Sequence, residues 1–366
     1  MLKRFFIKKN MRKFLIFLTI MACNVKKPES GPSWDVYPRF PIGDSISSAY
    51  DIARRSAGKD SFKIVRIDDN LFYWIEEDKR YNDTIDLPTD TIISLFVINF
   101  NRPKEIIRGH DKVYINDCKA RVKLYFRNVL NDYIYGYLKL TILYKETNQS
   151  QSYIIPNITI PPGDYRTNPY IYEKDGFTIK AETTIVYMNF IANSSTNPSL
   201  FAILDSSIGQ FWVPPHFEAY DTVIAYKLQE FEQNEPIPNE TLGFKVKKLW
   251  VELYTRHSLP VKILSNVWLK DTTSNDSIFI TNEYFKSAPK DPLTGYSTGY
   301  IYDTIIIELD TNQLKFYNER RGKLKFSLFG IAPIYTNYPE KAYIRSKDSL
   351  EVWGDIRAII GVNQGR

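Results

Sequence analysis

The chain is poor in the residues that most often do chemistry. Its 366 residues include three histidines, at positions 110, 216 and 257, and two cysteines, at 23 and 118. The histidines lie far apart and none falls in an HxH or HExxH spacing, so no metal site is expected. There is no GxSxG elbow and no glycine-rich phosphate loop. The loop "DTTSNDS" at 271–277 lacks the glycine and terminal glutamate of a dedicated calcium loop and reads as a solvated hairpin. With 42 acidic residues, some carboxylate pair will meet a glycosidase separation by chance, so that criterion carries no weight. No catalytic residue and no cofactor is expected.

A surplus of basic charge is also missing from the body. The net charge is +6, and residues 1–22 contain Lys3, Arg4, Lys8, Lys9, Arg12 and Lys13 with no acid. Those six cations account for the whole surplus. The remaining chain is balanced, and nothing in it points to nucleic acid.

Long apolar runs are absent too. Phe14 to Ala22 is nine residues, short of the ~20 that span a bilayer as a helix. After a basic segment, this length suits the apolar core of a signal peptide. Ile20-Met21-Ala22 precede Cys23. The arrangement resembles a bacterial lipobox, with an aliphatic residue at −3 and a small one at −1. That resemblance implies cleavage before Cys23, diacylglyceryl modification of its thiol and acylation of the new amine. Several acyl chains hold firmly where one holds weakly, at ~0.8 kcal/mol per buried CH₂. Met21 at −2 is less usual than a small residue, so the competing readings are another secretory signal, cleaved without lipidation, and a buried apolar strand with a chance cysteine.

Residues 1–22 are thus expected to be a signal peptide and 23–33, "CNVKKPESGPS", a flexible tether. The membrane is the expected partner through the lipid. Lys26 and Lys27 stand where acidic surface-export residues would be, and Asn24 is not the inner-membrane retention aspartate. Both favour the outer membrane, facing the periplasm. Cys118 would then be the one remaining thiol, within the strand-like "YINDCKARV", and reads as a buried, inert side chain. Alternation sends Lys119 and Arg121 outward.

Strand alternation dominates the body. Ala120, Val122, Leu124 and Phe126 share a parity, as do Leu138, Leu140 and Ile142; Ile305, Ile307 and Leu309; Leu324, Phe326 and Leu328; and Leu350, Val352, Ile356, Ala358 and Ile360. "RNVLNDYIYG" between the first two runs offers turn chemistry. In "FKVKKLWVELY" the parity changes at Lys247-Lys248, which a β-bulge would repair. One helix is expected in "DSISSAYDIARRSAG", capped by Ser45 or Ser47, with Ile46, Ala49, Tyr50 and Ala53 on one face and Gly58 as its stop. The expected class is all-β: antiparallel β-sandwich domains with one short helix near the N-terminus. The polar stretch Glu230 to Gly243 separates an N-terminal region, 34–235, from a C-terminal sandwich, 243–366; the former has a possible subdivision near 100–112.

Aromatics are abundant, at 26 Tyr, 22 Phe and 6 Trp. They fill sandwich cores, and they also stack on sugars. Three stretches invite inspection: Tyr187 to Ser195, "NPYIY", and "QFWVPPHFEAY". In the last, Trp212, His216, Phe217 and Tyr220 flank Pro214-Pro215, where a loop would display them as candidate ligand-binding aromatics. Glu76-Glu77-Asp78 reads as a charged hairpin end.

Asp-Ser/Thr triplets recur, placing Ser45, Thr84, Thr91, Thr222, Thr272, Ser277, Thr304 and Ser349 after an aspartate. They resemble the acceptor motif of periplasmic O-glycosylation in Bacteroidota. Turn-closing Asp followed by a strand-opening Ser/Thr explains the pattern equally well. The chain as a whole is similar in style to uncharacterised β-sandwich lipoproteins of Bacteroidota-like bacteria. The expected function is a membrane-anchored envelope lipoprotein with a non-catalytic binding or assembly role, its partner an envelope protein or a glycan. A glycan-binding surface lipoprotein is the first alternative and an envelope hydrolase the second.

Overall fold

The computed structural model describes residues 34–362 apart from 58–62, 81–82, 88–91, 101–111, 131, 193–198, 221–224, 233–244, 272–273, 275, 320–321 and 332–339. Cys23, the tether and His110 lie outside the described residues. The fold is all-β, and every pairing between named strands is antiparallel.

Twenty-four strands form five sheets among the described residues. One contains β1 (Trp34–Val36), β2 (Arg39–Ser48), β18 (Lys245–His257), β21 (Ile301–Glu308) and β24 (Ser349–Val362). A seven-stranded sheet contains β3 (Lys63–Arg66), β4 (Phe72–Arg80), β7 (Val113–Leu124), β12 (Tyr170–Lys180), β15 (Ser207–Val213), β16 (His216–Ala219) and β23 (Glu340–Tyr343). A third runs in the order β10 (Ser150–Ile160), β9 (Ile134–Tyr144), β13 (Thr184–Ala192), β6 (Ile92–Phe100). A small sheet runs β11 (Gly163–Asp164), β8 (Phe126–Asn128), β14 (Ser199–Leu204), β5 (Asp83–Leu87). The last runs β17 (Ala225–Glu232), β22 (Gly322–Ile331), β19 (Lys262–Asp271), β20 (Ser277–Phe285).

The sheets enclose two cores. One is packed between the seven-stranded sheet and the β9 sheet, with Phe96, Val122, Leu140, Val186 and Phe211 buried in it. The other contains Leu249, Val251, Ile263, Val267, Val352 and Ile356 from the β18 and β19 sheets. Trp74 and Ile344 pack against both. The inward parity expected for residues 120–126, 138–142, 305–309 and 350–360 is present. The side chains at 324–328 lie outside the described ones.

The core boundaries differ from the linear division expected at 230–243. Strands β1 and β2 hydrogen-bond to β24, and β17 pairs with β22, so three strands from before that stretch complete the second sandwich. Conversely, β23 closes onto β16 in the first. A sheet edge is completed by whichever strand reaches it, irrespective of distance in sequence. Nor does 100–112 divide a core: β6 and β7, on its two sides, face each other across the same one.

The register shift falls between Val246 and Lys248, as the parity change requires. A second helix, absent from the sequence expectation, serves it. Helix α1 spans Ala49–Ala57 and α2 spans Thr311–Glu319. Asn318 of α2 accepts from the Val246 amide at 3.1 Å and donates to its carbonyl at 2.9 Å, so both backbone groups beside the bulge are paired. Asp310 caps α2, accepting from the Asn312 and Gln313 amides, while Gln313 reaches back to the Asp310 amide. The cap of α1 is Ser48, whose hydroxyl accepts from the Asp51 amide at 3.0 Å, rather than Ser45 or Ser47. Ser45 to Ser48 instead continue β2, which leaves Ile46 on a strand and 68% exposed. Ala49, Ile52 and Ala53 bury the helix against the second core.

Gly209 of β15 allows the two sheets of the first core to approach. A Cβ there would lie 2.5 Å from Phe96 Cγ. Gly209→Ala should therefore cost about 1–3 kcal/mol through overpacking. Urea unfolding of the two proteins should show a lower midpoint at unchanged slope.

Candidate functional site

The four aromatics around Pro214-Pro215 do not form a display. Trp212 lies opposite Lys119 and Ile75 and is 8% exposed. The Arg121 guanidinium sits 4.6 Å from its ring centroid, and Tyr73 meets it edge-on at 5.4 Å. Glu173 holds Arg121 and Lys119 over the indole, with Lys119 Nζ 2.5 Å from Glu173 Oε2. Phe217 points into the first core. Tyr220 is exposed, with its ring edge-on to Tyr114 and its hydroxyl donating to Glu218 at 3.1 Å. Alternation along β16 separates these side chains: His216 and Glu218 take one face, Phe217 the other.

His216 is a joint between the sandwiches. Its ring stacks on Tyr343 of β23 at 4.3 Å and 3°, with Tyr296 edge-on at 5.8 Å. Nδ1 donates to Asp117 Oδ2 at 2.8 Å, which fixes the tautomer because a carboxylate only accepts. Asp117 reaches it from a bulge in β7, where its φ is 59°. Burial pushes the imidazole's pKa down, and Asp117 offsets part of that. His257 is buried as well, with Nε2 2.9 Å from the Lys286 carbonyl and its pKa pushed down to about 4 by burial. No group of three metal-capable side chains occurs among the described residues.

Cys118 is fully buried and its thiol pKa is raised by burial and by Asp117, as fits a packed, inert thiol. Of the triplet residues, Thr84, Ser277 and Thr304 are exposed on β5, β20 and β21. Ser45 and Ser349 are half-buried, and Asp348 beside the latter is buried and paired with Arg345. Thr91, Thr222 and Thr272 lie outside the described residues.

An exposed aromatic pair does occur, at residues outside the expected candidates. Tyr133 and Tyr135 are 50% and 53% exposed, with ring centroids 6.2 Å apart and planes 26° apart. Tyr135 and Tyr137 occupy outward positions of β9, while Ile134, Gly136 and Leu138 point into the core. The launch of Tyr133 is set by Asn128, a buried side chain at the base of the preceding turn. Its amide donates to the carbonyls of Asp132, Ile160 and Pro161, and its oxygen accepts from the Leu130 amide. The stretch expected to be turn, 127–136, is strand at both ends, with Arg127 and Asn128 in β8 and Ile134 onward in β9.

A second tyrosine pair supports the first. Tyr170 and Tyr172 lie 6.4 Å apart at 21°, and both pack against the first core. Tyr165 meets Tyr170 edge-on at 4.9 Å, and the Tyr172 hydroxyl donates to the carbonyl of Thr159, the residue opposite Tyr135. Both pairs come from the same tripeptide, Tyr-Ile-Tyr, which is the signal that sequence inspection could have used. Asp164 binds Arg166 and lies across the ladder from Arg127, and Arg166 and Arg127 hold its pKa at about 2.

The outward face of the β18 sheet is the main rival surface. Tyr254 and Trp353 lie opposite one another with rings 5.8 Å apart at 15°. There the polar groups are already committed to each other: Arg357 and the Tyr254 hydroxyl to Glu252, Arg39 to Asp355, Arg256 to Glu351. It reads as an ion-pair ladder with an aromatic filling.

No family model and no curated protein matches the chain. Among solved structures, it is similar to a candidate secreted protein from Parabacteroides distasonis, 10% identical, covering 89% of this chain and 99% of that one at a TM-score of 0.46. The STIV MCP is 9% identical over 79% of this chain and 97% of that one, at 0.20. A CBM22 tandem domain of Xyn10C from Paenibacillus barcinonensis is 10% identical over 77% and 93%, at 0.18. At those scores the likenesses carry no argument about function.

Glu76 generates a pH prediction. It lies within the continuous strand β4, which overturns the expected hairpin end. Burial, then the neighbouring Glu77, raises its pKa from 4.5 to about 7. A raised folded-state pKa favours the protonated form, so its stabilising share is complete below pH 4.5 and is lost as pH rises through 7. Glu76→Gln should therefore lose less stability than the parent between pH 5 and pH 8, as read by urea unfolding at both.

Proposed function

We propose that the chain is a lipid-anchored protein of the cell envelope that acts by holding a partner on its sheet surface, not by transforming it. The exposed, near-parallel pair Tyr133–Tyr135 carries the reading. Two large rings stand side by side and open to water, Tyr135 on β9 and Tyr133 just before it, and contiguous exposed aromatics mark contact surfaces. The anchor rests on the signal-like opening and on Cys23. Residues 23–33 would span at most about 40 Å if fully extended. They lead into Trp34, which enters the β24 sheet at once. The tyrosine pair belongs to the other sandwich, which leaves it clear of the sheet nearest the tether. The outer membrane, periplasmic side, is the proposed location.

Intact mass of protein extracted from native membranes in detergent tests the anchor. The expected mass is residues 23–366 with three acyl chains on a glycerylated Cys23, and Cys23→Ala should move the protein to the soluble fraction. A chain that retains residues 1–22, or one cut elsewhere without lipid, overturns it.

Modification follows the same logic of access. If the Asp-Ser/Thr triplets accept sugar, then among the described sites Thr84, Ser277 and Thr304 should carry the hexose-sized increments in a peptide map, and Ser45 and Ser349 none. Sugar on Ser349, or bare peptides at all eight positions, would remove the proposal.

A further inference from the structure

We infer that Tyr133, Tyr135 and Tyr137 form a binding ridge for an uncharged polysaccharide chain lying along β9. The inference rests on the binding role proposed above and supplies its ligand class.

Three observations carry it. The first is linear geometry. Successive outward positions of a strand recur at about 6.5–7 Å, and the first two rings are 6.2 Å apart with planes 26° apart. A ridge of tilted flat faces matches a polymer of flat rings better than it matches a single small molecule. The carbohydrate C–H face stacks on a phenol ring, and the phenol hydroxyl at its edge serves the sugar's own hydroxyls.

The second is availability. The chain has three Tyr-Ile-Tyr tripeptides, at 133–135, 170–172 and 300–302. The rings of Tyr170 and Tyr172 are packed on the first core. Those of Tyr300 and Tyr302 are exposed but shared by one guanidinium, with Arg256 4.6 and 5.6 Å from their centroids. Tyr133 and Tyr135 have neither use. Beside Tyr137 the β10 ladder is broken by a bulge between Ile155 and Ile158, with Asn157 at φ 57°. On the other side Ile191 and Ile92 continue the row across β13 and β6.

The third is charge. Around the row Asp132 and Asp164 stand against Arg127, Arg166 and Lys139, the last at the outward β9 position after Tyr137, a net of +1. An anionic polymer or a nucleic acid strand would find a single surplus cation there, and binding to either is dominated by cations. Uncharged hydroxyl-rich chains have no such requirement.

The test is affinity electrophoresis of the detergent-extracted full protein. Gels would contain neutral polysaccharides (β-1,4-glucan, α-1,4-glucan, mannan, galactan), with polygalacturonate and single-stranded DNA as charged comparisons. At least one neutral polymer should retard the protein, and Tyr133→Ala/Tyr135→Ala should weaken that retardation ten-fold or more. Tyr302→Ala, an exposed tyrosine whose face Arg256 already covers, should leave it unchanged. Thermal unfolding of the double variant should match the parent, since both rings are outside the core. No retardation by any neutral polymer, retardation by the charged polymers alone, or retardation that survives the double substitution would each overturn the inference. A folded, lipid-bearing protein with no glycan affinity sinks the ridge and leaves the anchor. Glycan affinity in a chain without lipid does the reverse.

Discussion

The structure depends on one strand crossing between two cores. Strand β23 comes from the C-terminal half, yet it closes the edge of the seven-stranded sheet beside β16. Around it, contacts to both sandwiches converge. The Tyr343 amide donates to the Gly295 carbonyl, and the Ile344 amide to the Pro215 carbonyl. Asn116 donates to Glu218 and to the Tyr343 hydroxyl, at 2.9 and 3.0 Å. Lys290, largely buried, binds Glu340 and the Lys341 carbonyl. Such a pair stabilises little against an apolar substitute, but breaking one half strands a buried charge, so it favours one docking over others. Gly295 sits against Lys341 with φ 76°, a backbone position and a closeness that a side chain would disturb. Trp74 and Ile344 touch both cores, so side-chain packing runs from one sandwich into the other.

That joint accounts for the packing of the His216 cluster. The imidazole lies flat on Tyr343, its cross-strand partner on β23, and Asp117 accepts the hydrogen bond from Nδ1. A non-glycine residue at positive φ is costly, and it is retained where the surroundings over-determine it. Here the bulge turns Asp117 across the strand toward His216 while Cys118, the next residue, stays in the core. The joint leaves other surfaces free. The ridge on β9 is one. Tyr135 and Tyr137 are held between β10 and β13, so their spacing is set by the ladder, while Tyr133 directly precedes the strand.

Parity was legible in the sequence wherever apolar and polar residues alternate. Alternation placed Val122, Leu140 and Val352 inward, and a break in it located the bulge at Val246–Lys248. These are local consequences of a period of two. Helix α2 was hidden because its nine residues carry few apolar side chains, although Asp310 and Gln313 spelled out a capping box. The assignment of strands to sandwiches was hidden for a different reason. Edge pairing joins residues as distant as Arg39 and Arg357, and no local pattern encodes the partner of an edge.

The aromatics show most plainly what a linear reading cannot carry. Tyr-Ile-Tyr occurs three times, and alternation says only that the tyrosines share a face. At 133–135 the isoleucine is buried and the tyrosines are open; at 170–172 the isoleucine is exposed and the tyrosines pack inward. At 300–302 an arginine on the neighbouring strand covers open rings. The tripeptide is the same, and the difference lies in which side of its strand meets another sheet. The proline-flanked aromatics failed as a display for the same reason. Pro214-Pro215 turns the chain, but β15 and β16 re-enter one sheet on both sides of it, so Trp212 stays under Arg121 and Phe217 stays in the core. A loop displays its flanking residues only when the strands it joins run out into solvent. Tyr133 meets that condition, at the end of a strand whose preceding turn is pinned by Asn128.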